Sequence, residues 1–583
     1  MAALRCRTGS DMTSTRNLLL IALLFISYLL WMQWQEDYGP KPPASAASAG
    51  SGATTPADVP PDAEGAQPPL DVPAAAAGSV PVAEAPVSAP TPAAQRIVVT
   101  TDVLRVEIDP RGGNVVVADL LAYPRQPREP EPVRLLDASP ATFFEAQGGL
   151  VGAQGSSLVA PDHNAPFAAE ETAYALASGA DTLDVTLTAV GGNGLDVRKV
   201  YRFTRGSYVI EQRNEITNNG AAAWSGNAYR QLQRVPPIVD TAGIKGYSNT
   251  ERYSFAGAAW YSPAEKFEKL KFDAFAKEPL NTSFAGGWAA MLQHYFFAAW
   301  IPDAAETTAY GTATVQKDGA TRYLIRAMSP RITVAPGETR TESARLYVGP
   351  KLQSTLDQIA PGLSLTVDYG IFTVISEPLH WVLAQLHRLS GNWGVAIILL
   401  VVLIKIVFFK LTEAQFRSAA KMRKLQPRLA ALRERYGDDR QKMNQAMMEL
   451  YQKEKINPLG GCLPMLIQMP VFLALYWVLL ESVELRQAPF FGWIQNLTAP
   501  DPYYILPILN GLVMIATSML TPTAGMDPTQ AKIMKFMPVA FSVIFAFFPA
   551  GLVLYWTVNG ALSLLQQWII TRRIERADKA AAT

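Results

Sequence analysis

Hydrophobic and polar positions divide the chain into stretches of distinct pattern. Leu18 to Trp34 is almost wholly apolar and follows Arg5, Arg7 and Arg16, the layout of an export leader. The run ends in Trp31, Gln33 and Trp34 rather than in an immediate small-x-small site, so residues 1–37 read as a retained signal-anchor helix that starts in the cytoplasm. Small residues at Ala44 to Ala47 keep a cleaved leader as the alternative. Residues 38–95 are dominated by Pro, Ala, Gly and Ser, bury too little to fold, and read as a disordered tether.

From 96 to 355 the period changes to two. Val98, Val103, Leu104, Val106 and Ile108 precede the turn Arg111-Gly112-Gly113-Asn114; Leu183, Val185 and Leu187 alternate with polar residues; Val209, Ile210 and Ile216 lead to Asn218-Asn219-Gly220. Short alternating runs broken by Gly and Asn turns predict one large antiparallel β-sandwich. Its aromatics, Trp224, Tyr229, Trp260, Tyr261 and Trp288, either line a sugar-binding cleft or pack in the core, the commoner place for such side chains.

Residues 356–390 switch to helical spacing. Ile371, Ile375, Leu379, Val382, Leu386 and Leu389 recur at three and four, which predicts an amphipathic helix in the membrane interface, bent at Pro378. The run Trp393 to Leu411, within a span set at 391–411, would be about 26–28 Å long as a helix, close to the thickness of a bilayer core. Further apolar stretches predict spans at 460–482, 503–521, 533–549 and 550–571. The outer loop is 483–502, the inner loop 522–532, and the cytoplasmic tail 572–583.

Charge orients this set. Between Lys410 and Lys455 twelve basic residues stand against six acidic ones, which puts the 412–459 segment in the cytoplasm. Met422, Leu425, Leu429, Leu432 and Tyr436, then Met443, Met447 and Leu450, form an apolar seam for two helices folded back as a hairpin. Its basic face is either a solvated topology signal or a docking surface for nascent chains and the ribosome. With the anchor there are six spans and both termini lie inside, in agreement with Arg572, Arg573 and Arg576. The expected fold is therefore a multidomain membrane protein: an α-helical bundle of six spans, five forming its core, plus a large periplasmic β-sandwich.

Polar groups interrupt the spans. Lys405 lies in the second, Gln468 in the third, Asn510 in the fourth and Asn559 in the sixth. An intramembrane ammonium is costly and marks function by default, unless its stem snorkels to the interface. Several spans are short for a core of about 30 Å, so the bilayer beside them is expected to thin or admit water. Together these features suggest a hydrated cavity carrying one positive charge.

The remaining chemistry is sparse. Cys6 and Cys462 form no disulfide framework, and His163, His294, His380 and His387 form no close-spaced metal-ligand pattern. Neither a nucleophile elbow nor a glycine-rich phosphate loop occurs in the β region. The net charge of +1 carries no signal for sequence-specific nucleic-acid binding. An enzyme is not expected, and neither is a cofactor or metal.

Long ordered motifs carry a resemblance. Asn457-Pro458-Leu459-Gly460-Gly461-Cys462-Leu463-Pro464, Gln468 to Tyr476, Ser482 to Phe490, Asp501 to Pro507 and Phe548 to Trp556 resemble the YidC family of bacterial membrane protein insertases, strongly over residues 356 to 570. The anchor, tether and β domain are similar in order to the Gram-negative form. The resemblance implies five core helices around a hydrophilic groove, open to cytoplasm and lipid and closed outside, with a positive charge inside. That charge is an arginine in the family and is matched here by Lys405, which keeps the charge and loses the bidentate fork. Lys410 stands where relatives often have proline. The resemblance also aligns Phe472, Asn510, Ile544, Tyr555 and Trp556 with positions on the substrate's exit path, Asn510 and Ile544 departing from the family's bulkier or more apolar residues. The β domain is similar to a sugar-mutarotase sandwich, from which no sugar chemistry follows.

The implied function is insertion and folding of nascent inner-membrane proteins, alone or with the Sec translocon, with nascent chains, lipid and the ribosome as partners. Two alternatives are a multi-span solute transporter, although no internal repeat is present, and a membrane-anchored periplasmic carbohydrate-binding protein. An intramembrane protease would need a nucleophile with its base, or two aspartates, within the spans, and the sequence has neither.

Overall fold

Alternation at period two is realised as two large sheets. In the eleven-stranded sheet Trp224–Arg234 lies between Phe144–Gly152 and Ala320–Met328; in the nine-stranded sheet Thr339–Pro350 lies between Phe296–Pro302 and Val209–Asn218. These pairings are antiparallel, while Ile97–Thr100 pairs in parallel with Ala173–Ala175. The computed structural model describes residues 95–582 except 154–155, 157, 191–193, 239–250, 252–253, 437–438, 455–462 and 521–527. The expected anchor, the tether up to residue 94, Asn457 to Cys462 and most of the 522–532 loop lie outside the described residues.

Val106, Ile108, Val185, Val197, Ile216 and Leu346 from both sheets meet in the sandwich core. Of the aromatics expected either in a cleft or in the core, Trp224, Tyr229, Trp260 and Trp288 are buried, and Tyr261 stacks on Trp288 with ring centroids 6.2 Å apart. They pack as core. The turn expected at Arg111–Asn114 needs its glycines: Gly112 and Gly113 have φ of +77° and +62°, and a Cβ on Gly112 would come within 1.9 Å of the His163 carbonyl oxygen. Beside this turn the buried Lys199 amine donates to the Gly112 and Gly148 carbonyls, and burial pushes it down to about 7.

The nine-stranded sheet is buried on its second face as well. Trp288, Ala290, Leu292, Phe297, Ala299 and Ile301 are covered by α1 (Gln353–Ile359) and the turn after it, through Leu356, Ala360 and Leu363. Residues 356–372 therefore serve as sheet cover, and the helix expected over 356–390 is confined to α2 (Thr373–Ser390). An apolar sheet face requires such a layer, which the sequence pattern of the helix alone did not reveal. Val374, Trp381 and Leu389 of α2 remain exposed.

The expected span at 391–411 is a broken pair. Helix α3 (Trp393–Val407) has fifteen residues, and α4 (Phe409–Tyr436) departs from it at 64°. Apolar composition gives way to charge at this point, and α4 belongs to the hairpin with α5 (Arg440–Lys453), to which Arg428 is tied through Glu454 at 2.6 Å. Then come α6 (Leu463–Glu481), α7 (Ile505–Leu520), α8 (Pro528–Phe545) and α9 (Ala550–Ala582). The last runs helical past the boundary expected at 571. Helix α9 packs on α3 and α7, α7 on α8, and α2 on α3 and α6. Among the described residues no single helix is long and apolar enough to cross a membrane, though the α3–α4 pair passes together.

The sheets and the bundle share contacts. Arg486 donates to the Pro124 and Arg125 carbonyls at 2.9 and 3.1 Å. His294 Nε2–H donates to the Leu480 carbonyl at 3.1 Å, and burial, reinforced by the Lys351 charge, pushes that imidazole down to about 3, so it is neutral.

Lys199 yields a pH prediction. A base whose folded pKa is depressed makes the unfolded state bind more protons between the two values, so stability rises with pH from about 7 towards 10.5 and is lost again as pH falls across that window, with no further change below it. Between pH 7 and 9 this contributes on the order of 2 kcal/mol. Lys199→Met should remove that part of the rise in thermal unfolding of the detergent-solubilised chain; an unchanged pH dependence would refute the assignment.

Candidate functional site

Helix α3 starts where Asn392 caps it, accepting from Val395 N at 3.1 Å while donating to the Phe490 carbonyl at 3.0 Å. Gly394 then lets the helix lie against the Phe490 ring, which a Cβ would meet at 2.0 Å. The inward face continues through Ile397, Leu400, Val401 and Ile404, all buried. Lys405 comes one turn after Val401 and is itself only 7% exposed. Its stem does not run to the helix end. The ammonium donates across the bundle to Ser563 Oγ on α9 at 2.7 Å, and that hydroxyl donates to the Asn559 carbonyl at 2.8 Å.

A second cluster lies farther along the same helices. Phe472 of α6 stacks on Tyr555 of α9 with centroids 5.9 Å apart and meets Trp556 edge-on at 4.6 Å; Phe545 of α8 lies 5.3 Å from Trp556. Helices α6 and α9 run in opposite directions, since α6 ends and α9 begins beside the β-sheet side of the bundle. One turn before Phe472 is Gln468, and one turn after Tyr555 is Asn559, so both polar residues fall on the Lys405 side of the aromatics. Tyr555, Asn559 and Ser563 share a stripe on α9, and Ser563 is about 12 Å beyond Tyr555.

The expected residues thus separate into groups. Lys405 and Asn559 meet through Ser563; Phe472, Tyr555 and Trp556 meet directly. Asn510 is 1% exposed on α7, with its amide donating to Met514 Sδ at 3.7 Å, and its place one and a half turns into α7 matches the aromatic level rather than that of Lys405. Ile544 stands outside the cluster and is about half exposed, whereas its neighbour Phe545 turns inward. Ser563 and Phe545 were both missed by the sequence reading. A helical serine is unremarkable in composition, although its i, i+4, i+8 spacing from Tyr555 and Asn559 was a usable signal.

On the β-sheet side, residues 483–502 are tied to the start of α9. Ala550 N donates to the Ala499 carbonyl at 2.7 Å and Gly551 N to Leu497 at 2.8 Å. Asp501, 1% exposed, accepts from Trp493 Nε1 at 3.0 Å, Tyr503 N at 3.0 Å and Leu506 N at 2.7 Å, and so caps α7 while pinning the loop. Among the described residues there is no group of three or more His, Cys, Asp or Glu able to hold a metal ion.

Comparison with known proteins bears on the whole length. The model of the YidC periplasmic domain matches residues 96–382, and that of the 60Kd inner membrane protein matches 385–578. The membrane protein insertase YidC of Thioalkalivibrio sulfidiphilus is 46% identical over 97% of this chain and 100% of its own length; that of Azotobacter vinelandii is 45% identical over 97% and 99%. A crystal structure of an active YidC insertase with the first transmembrane domain resolved aligns with a TM-score of 0.36 and 18% identity, over 81% of this chain and 92% of that one.

The cap makes its own prediction. Asp501→Ala leaves three donors without their acceptor and should cost about 2–4 kcal/mol, whereas Asp501→Asn, which keeps an acceptor oxygen, should cost less. Thermal unfolding in detergent checks this, and equal losses for the two variants would contradict the capping role.

Proposed function

Because the chain belongs to the YidC family of membrane protein insertases, we propose that it inserts nascent proteins into the bacterial inner membrane through a polar groove charged by Lys405. The observation that carries this reading is an ammonium turned into an apolar bundle towards Ser563, in preference to the helix end. Such a group is costly in lipid. It reduces the desolvation cost of an acidic peptide entering beside it, since a nearby opposite charge and water replace solvation the peptide would otherwise lose.

The reaction involves no covalent step. A hydrophilic tail, often acidic, enters the groove at the level of Lys405, Gln468 and Asn559, while the following apolar segment packs on Phe472, Tyr555 and Trp556 and moves into lipid. Burial of about twenty apolar residues in the hydrocarbon supplies the driving free energy. Asn510 and Ile544 belong to the exit path, Ile544 on its lipid-facing side. Short helices favour the passage: α3, of fifteen residues, and α7, of sixteen, rise only about 22 and 24 Å, less than a bilayer core of about 30 Å, so the bilayer beside them thins.

In this reading six spans cross the membrane, five form the core, the anchor is retained and both termini are cytoplasmic. The β domain is periplasmic, and α2 lies in the outer interface with Val374, Trp381 and Leu389 in lipid. The basic hairpin of α4 and α5 receives nascent chains and is the surface for the ribosome; the Sec translocon is a partner for a subset of substrates. Burial of Trp224, Tyr229, Trp260 and Trp288 in the sandwich core favours this reading over the carbohydrate-binding alternative.

Lys405→Ala should slow insertion of a single-span substrate with an acidic translocated tail about tenfold or more in proteoliposomes, and Lys405→Arg should retain most of the rate. Protease protection of the tail measures both, with protein level and folding controlled. Equal activity of the two variants would remove Lys405 from the mechanism. A photocrosslinker at Phe472 should capture a stalled nascent membrane protein, and failure to do so would remove this face from the path.

A further inference from the structure

An amine on a four-carbon stem near the end of a helix has a choice of direction. Lys405 is two residues from the last residue of α3, within reach of the interface by snorkelling. What directs it elsewhere is a single contact: among the described residues its ammonium has one hydrogen-bond acceptor, Ser563 Oγ at 2.7 Å. The acceptor is itself oriented. Because the Ser563 proton is donated to the Asn559 carbonyl at 2.8 Å, its lone pairs are left facing the lysine. Reversal of that hydroxyl would turn its proton towards a cation, so the bond to Asn559 and the bond from Lys405 support each other.

The ammonium has three donors and no acceptor, and Ser563 takes one. The other two are available to water and to carboxylate oxygens brought by a substrate. No carboxylate among the described residues is ion-paired with Lys405, so none of them cancels its charge. A neutral partner holds the amine in place without neutralising it. An aspartate at position 563 would hold it more strongly and would abolish its attraction for an acidic peptide.

We propose that Ser563 is a positioning residue, which holds the Lys405 ammonium against the inner face of α9 with its charge intact and two donors free for the acidic part of an incoming segment. This rests on the assignment of Lys405 as the groove's charge. Ser563 makes no contact with substrate in this scheme and acts through the lysine alone.

The test is a double-mutant cycle on the full-length chain in proteoliposomes, read as the initial insertion rate of a single-span protein whose translocated tail carries aspartates, and of the same protein with asparagines in their place. Ser563→Ala should lower the rate for the acidic tail roughly threefold to tenfold, the effect of losing one charge-assisted hydrogen bond, and should lower the asparagine tail's rate less. Ser563→Thr, which keeps an oriented hydroxyl, should recover most of the loss. In a Lys405→Ala background Ser563→Ala should cost nothing further. A Ser563→Ala cost that is equal in the two backgrounds, or equal for the two tails, would overturn the proposal in favour of a packing role. A wild-type rate for Ser563→Ala while Lys405→Ala is impaired would overturn it outright, and a wild-type rate for Lys405→Ala would instead overturn the assignment of the lysine on which it stands.

Discussion

The bundle is built around the cost of keeping an ammonium among apolar helices. Neighbours on the inward face of α3, namely Ile397, Leu400, Val401 and Ile404, are hydrocarbon and cannot solvate a charge. A partner must come from across the bundle, and α9 supplies it with a hydroxyl whose own proton is already committed. The close approach of α9 to its neighbours is required for this geometry. Gly560 contributes, since a Cβ there would come within 2.7 Å of Val513 on α7. Small residues thus set the interhelical distance and polar ones use it.

Asymmetry along the helix axes follows from the ends of the same elements. Near the β-sheets the bundle is tied by backbone hydrogen bonds between residues 497–499 and 550–551, by the Asp501 cap and by Phe490 against Gly394. The aromatic cluster of Phe472, Tyr555, Trp556 and Phe545 comes next, and Lys405 lies beyond it. From the hairpin side towards the β-sheets the order is therefore charge, aromatic surface, and then the loop 483–502. That order fits the route proposed above for an incoming segment.

The β domain and the helices are continuous in their packing. One apolar cluster runs from Trp288 and Phe297 on the nine-stranded sheet through Leu356 and Leu363 to Leu383 and Leu400 in the bundle. Arg486 and His294 add polar ties, and neutrality of the buried imidazole spares this junction an unpaired charge. Residues 353–372 belong to both parts, because they cover a sheet face and lead directly into α2.

Much of this was legible from residue order. Period two announced the sandwich, the glycine pair at 112–113 its turn, the apolar runs the helices, the basic segment 410–455 the hairpin, and the lone lysine the place to look. These are local properties, decided by backbone propensity, by burial of one face and by the cost of a charge within an apolar run, and they do not need distant partners. Other features depended on residues far apart in the chain. The break between Val407 and Phe409, the use of 353–372 as sheet cover, the inward turn of Phe545 in place of Ile544, and the pairing of Lys405 with a serine 158 positions away arise only when the elements have packed. The chain by itself determined that a charge would interrupt an apolar helix; the tertiary structure decided which way it points, because the direction of a flexible side chain is set by the acceptor that packing brings within reach.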